Sequence, residues 1–73
     1  MYTSRKVRRA VEHMSDEDFA ILLEDLTPEA RAVVREDAGR TDQALELTRH
    51  YDESRSLGTL VALIREITPN ANL

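Results

Sequence analysis

The side chains of this chain that could do chemistry are few. They are two histidines, His13 and His50, acids at Asp16, Glu17 and Asp18 with a second pair at Glu24 and Asp25, and a basic group of Arg5, Lys6, Arg8 and Arg9. Nucleophilic catalysis needs a hydroxyl or thiol beside a base that a third group orients. No Cys occurs, the histidines fall on different predicted helices, and neither has partners spaced like a triad or a metal-binding pair. His50, Tyr51, Asp52 and Glu53 are consecutive, and adjacent side chains on a helix splay apart. The acids lack the oxygen-ligand spacing and central Gly of a calcium loop, so they read as solvated helix ends. No Gly-rich loop offers a cradle for phosphate. The expectation is a non-enzyme with no catalytic, cofactor-binding or metal-ligating residues.

What remains is charge, and it is segregated. The net charge is −4, yet residues 1–14 carry Arg5, Lys6, Arg8 and Arg9 against Glu12, a balance of +3. Residues 15–29 carry Asp16, Glu17, Asp18, Glu24, Asp25 and Glu29 with no base, a balance of −6. Basic residues near the start of a helix oppose its macrodipole by a few tenths of a kcal/mol each. A choice that costs a little folding energy hints at another use. Arg31, Arg35 and Arg40 could extend the basic group, which raises nucleic-acid binding as an alternative. Against it stand a pI near 5.0 and the absence of a strongly basic helix after the first.

These groups must be positioned by helices. Seventy-three residues make one domain, and a chain so short removes only about 60% of its unfolded surface from water. With no Cys, neither disulfides nor thiolate metal sites can supplement the core. No run approaches the roughly 20 apolar residues that cross a bilayer, and no signal-peptide core is present. The expectation is a soluble, cytoplasmic protein without membrane contact. Two Gly and two Pro, with little period-2 alternation, predict an all-α fold.

The last helix is the richest apolar segment. Leu57, Leu60, Val61, Leu63, Ile64 and Ile67 share one face, with Ser56 as expected N-cap and Pro69 ending the run. The first helix runs from an N-cap at Ser4, with Val7, Ala10, Val11 and Met14 inward. Ser15 caps the second, where Phe19, Leu22, Leu23 and Leu26 face in and Ile21 falls on the other side beside acidic neighbours. Thr27 caps a third with Pro28 at its first position, a stripe of Ala30, Val33, Val34 and Ala38, and Gly39 just past its C-cap. Asp37 lies inside that stripe by angle, so either the helix ends before it or it caps something. Thr41 caps a fourth, with Ala44, Leu45, Leu47, Thr48 and Tyr51 inward. The Tyr51 hydroxyl is expected at the rim, in water. Short turns joining five helices predict a compact antiparallel bundle.

Ala44-Leu45-Glu46-Leu47, the aromatic Tyr51, the charged turn Asp52-Glu53-Ser54-Arg55, then Leu57, Leu60-Val61, Ile64-Arg65 and Pro69-Asn70 resemble the C-terminal half of bacterial effector-associated domains. These are small death-fold-like modules fused to proteases, caspase-like enzymes, TIR domains and nucleotide-dependent switches. The resemblance covers about half the chain in pattern and the first forty residues by helix count. It implies a five- or six-helix death-fold-like bundle, a sixth helix being hidden near residues 1–4 or as a break in the first, that acts as an adaptor in bacterial immunity or cell death. It also implies like-with-like partners. Opposite patches on different faces give a heterologous, head-to-tail contact, so Arg5, Arg8 and Arg9 on one side and Asp16, Glu17, Asp18, Ile21, Glu24 and Asp25 on the other are the candidate partner interface. The partner would be a similar helical domain of the same or another protein, with a homo-oligomer as one form. A purely structural dimerisation module is a further alternative. Pro69-Asn-Ala-Asn-Leu73 reads as the start of a linker, so the domain is expected to be excised from a longer multidomain protein with its effector downstream.

Overall fold

Each of the first three helices opens at a hydroxyl. In the computed structural model, which describes residues 2–71 and 73, Thr3 caps α1 (Ser4–Glu12) by accepting from the Lys6 N–H at 3.2 Å. Ser15 caps α2 (Asp16–Asp25) through the Asp18 N–H at 3.1 Å, and Thr27 caps α3 (Pro28–Ala32) through the Ala30 N–H at 3.2 Å. Such caps satisfy a donor that the helix itself cannot pair. The N-cap of α1 is therefore Thr3, not the expected Ser4, which is already helical. Residue 3 is the extended one, with φ −125° and ψ 161°.

The third helix is shorter than the apolar stripe predicts. It stops at Ala32, and the Val33 and Val34 N–H groups turn tightly back to the Ala30 and Arg31 carbonyls. Continuing the helix would have carried the charged Asp37 inward with the stripe. Ending early leaves Asp37 in solvent, loosely paired with Arg35 at 3.6 Å. Gly39 consequently serves as the N-cap residue of α4 (Arg40–Glu53), not as the cap of α3, and Thr41 lies inside α4. No side chain caps α4; the Gln43 amide instead donates to the Arg35 carbonyl at 2.8 Å, tying the turn to the new helix.

α4 ends in a Schellman turn. The Ser56 N–H reaches the Tyr51 carbonyl at 2.8 Å and the Arg55 N–H the Asp52 carbonyl at 3.1 Å. The left-handed position of that turn, where glycine is usual, holds Arg55 at φ 56°. α5 (Leu57–Ile67) follows, begins at Ser56 without a side-chain cap bond, and stops at Thr68 before Pro69. Thr68 folds its hydroxyl back onto the Ile64 carbonyl at 2.9 Å.

Among the described residues the fold is all-α with five helices and no strand. Residues 2 and 3 add no sixth helix, α1 is unbroken, and Met1 lies outside the described residues. The radius of gyration is 10.7 Å, close to the ~11 Å expected of a compact chain this long. α1 lies mainly along α4, and α2 packs on α5. Val7, Val11, Leu22, Leu47, Leu60 and Ile64 are fully buried, joined by Phe19, Ala30, Ala44, Val61 and Tyr51. Ala71 and Leu73 also pack against this core, while Asn72 lies outside the described residues.

Two side chains of α4 depart from the sequence reading. Leu45, expected inward, is 39% exposed, and Tyr51, whose hydroxyl is expected at the rim, is as a whole residue only 5% exposed. α1 and α5 both pack on α4, and Leu45 sits at the edge of the α1 contact, on the groove between α1 and α4. Tyr2 closes the end of the core with its hydroxyl over the first turn of α5. A Cβ at Gly58 would stand only 3.0 Å from that oxygen, so the glycine makes room for the ring.

Candidate functional site

The basic group of α1 divides in two. At 100° per residue, Arg5 and Arg8 point along one flank and Lys6 and Arg9 along another. Arg5 and Arg8 line a groove of about 310 Å³ between α1 and α4, together with Ser4, Leu45, Thr48, Arg49 and Asp52. Lys6 and Arg9 line a groove of about 720 Å³ between α1 and the chain that follows α5, with His13 beside them. Arg5, Lys6 and Arg9 are exposed and Arg8 half-buried.

The acids occupy α2. Asp16, Glu17, Glu24 and Asp25 are exposed, Asp18 is half-buried, and Ile21 among them is 46% exposed. Ser15 and the first-turn acids follow the rule that carboxylates suit a helix N-terminus. Three ion pairs form among the described residues: Arg35 with Asp37, Arg40 with Asp16, and Arg49 with Glu46. None joins the basic residues of α1 to the acids of α2. Of the nine residues expected at an interface, only Asp16 is engaged.

Arg40 does not extend the basic surface as the sequence suggests. Its Nη1 donates to the Met14 carbonyl at 2.7 Å and to the Val11 carbonyl at 3.4 Å, and its Nη2 to Asp16 Oδ1 at 2.7 Å. Its guanidinium carbon also lies 4.0 Å from the centre of the Phe19 ring. The first residue of α4 thus closes the C-terminus of α1, holds the α1–α2 corner and stacks on the α2 core. No short-range pattern announces this, because the partners stand 24 to 29 residues away in sequence.

The remaining polar groups are local. The hydrogen bond and charge of Glu46 raise the Arg49 guanidinium further above its ordinary range. Burial pushes the Tyr51 phenol up, and the His50 ring meets Tyr51 edge-on, centroids 5.5 Å apart. Among the described residues the buried Thr48 hydroxyl has no hydrogen-bond partner. Among the described residues, no three His, Asp or Glu side chains gather as a metal site would require, and no helix is long and apolar enough to cross a membrane.

Charges of opposite sign thus stand on different helices, with grooves beside the positive ones. Comparison with protein-family models, curated proteins and solved structures finds none that matches this chain.

Proposed function

We propose that the chain is a protein–protein interaction domain that binds a second copy or a similar helical domain. In this reading it is a death-fold-like adaptor that clusters or recruits an effector in bacterial immune or cell-death signalling, as the pattern of its C-terminal half suggests. One observation carries the proposal. Among the described residues the arginines of α1 and the acids of α2 form no ion pairs with each other within a single copy, so each pole, Asp16 apart, is open to a partner. Exposed pairs contribute only about 0.2–1 kcal/mol each. Complementary patches therefore act mainly on encounter rate and on rejection of wrong partners.

The test is pull-down of untagged domain by tagged domain across a salt series. Binding is expected at low salt, falling as salt rises, and lost in the Arg8→Glu, Arg9→Glu double variant. Retention of both the binding and its salt dependence in that variant would falsify the reading.

A second reading rests on the convergence of Arg5, Arg8 and Arg49 on the α1–α4 groove, which suits a nucleic-acid phosphate. Asp52 on the same groove and the Glu46 carboxylate that already holds Arg49 oppose it. Filter binding at low salt, with affinity falling steeply as salt rises, would favour that reading.

A further inference from the structure

Ile21 stands in an unusual place. The four positions one turn from it on α2, at i±3 and i±4, are Glu17, Asp18, Glu24 and Asp25, and these are the surface neighbours of a helical residue. The isoleucine is 46% exposed, so it forms an apolar knob inside a ring of four carboxylates. An apolar centre with a polar, charged rim is the anatomy of a protein contact point.

The 720 Å³ groove has the inverse pattern. Its floor is apolar, from Ala10, Met14 and Ile67, and its rim carries Lys6, Arg9 and His13. Among the described residues no acid lines it, and none of its lining residues belongs to α2. Knob and groove therefore lie on separate elements of one molecule.

We propose that Ile21 and its ring of carboxylates seat in the α1–α5 groove of a second copy of this chain. The proposal rests on the interaction reading above and specifies its geometry. The occupant follows from the match in both properties: an aliphatic side chain for an apolar floor, and four acids for a rim of cations. Because the two surfaces differ, each copy offers a knob to one neighbour and a groove to another. The contact is heterologous and either closes into a ring or propagates. One short helix presents less than the ~800 Å² per partner of a standard interface, so a single contact is weak and assembly grows with concentration.

Two variants separate the halves. Ile21→Ser removes the knob at an exposed site and leaves the groove. Lys6→Glu with Arg9→Gln damages the groove rim and leaves the knob; Lys6 sits in the first turn of α1, where an acid suits the helix. Circular dichroism confirms that each variant folds. By sedimentation velocity over a concentration series, the unaltered chain is expected to grow beyond a dimer, and each variant alone to associate at least about tenfold more weakly. Mixed one to one, the groove variant's intact knob meets the knob variant's intact groove, and a dimer with no larger species forms. If both variants assemble as the unaltered chain does, or their mixture forms no dimer, the docking geometry is overturned while self-association stands. If the unaltered chain stays monomeric at all concentrations, self-association fails and the geometry with it.

Discussion

Replacing Arg40 with alanine is expected to destabilise the domain by about 3 kcal/mol. The side chain is 21% exposed. Its 2.7 Å bond to the Met14 carbonyl is charge-assisted and partly buried, and such bonds contribute about 1.5–3 kcal/mol. Stacking on Phe19 at 4.0 Å adds about 1 kcal/mol at this degree of exposure. The bond to Asp16 adds little, because that carboxylate is fully exposed and water screens it. For a chain of this size the whole folding free energy is only about 4–11 kcal/mol, and each kcal/mol moves the melting temperature by about 4–8 °C. Loss of Arg40 therefore consumes a large share of the margin. The assay is urea and thermal unfolding followed by circular dichroism on Arg40→Ala, Arg40→Lys and Asp16→Asn. Lysine keeps the charge but loses the planar fork that bonds and stacks together, so it should recover less than half of the loss. Asp16→Asn should stay within about 0.5 kcal/mol of the original. The reasoning is refuted if Asp16→Asn destabilises as much as Arg40→Ala, for then the surface ion pair matters more than the bond to the end of α1.

Three other outcomes follow from single side chains. Thr48→Val should stabilise by about 1 kcal/mol, since a buried hydroxyl without a partner carries a desolvation cost that an isosteric methyl avoids; a lower unfolding midpoint would show that the hydroxyl is bonded after all. Arg55→Gly should stabilise by about 0.5–1 kcal/mol by relieving the left-handed backbone at φ 56°, and a loss of stability would show that the side chain makes compensating contacts. Burial raises the Tyr51 phenol pKa in the folded state, so its contribution is fully present below the unfolded value near 10 and is lost as pH rises through the folded value. Melts between about pH 8 and 11 should show Tyr51→Phe losing less stability with rising pH than the original, and parallel curves would show that burial of the side chain does not reach the phenol's ionisation.

Helix type and most helix starts were legible in the residues. Thr27, Pro28 and Ser15 signal their helices through donors that any helix leaves unpaired, and the face of α5 follows from spacing alone. The errors cluster where two local signals compete. Thr3 and Ser4 are both able caps. Gly39 suits the end of one helix as well as the start of the next, and the Val33–Ala38 stripe is apolar enough to be helical but carries Asp37. For α3 the choice depended on which arrangement kept Asp37 in water.

Of the candidate surface, the charge segregation and the exposure of Ile21 were present in the sequence, because both are properties of one helix and its own period. The division of the basic residues between two grooves was not, since it depends on α4 and the end of α5 flanking α1 on different sides. Nor was the role of Arg40, which bonds to groups more than twenty residues away. Residue order alone fixes that the chain is helical, where most of its helices begin and where charge of each sign accumulates, because these are set by interactions within a few residues. Which charges are consumed in holding the fold and which remain in solvent is set by how the helices pack. That depends on distances between helices, and packing fixes those distances.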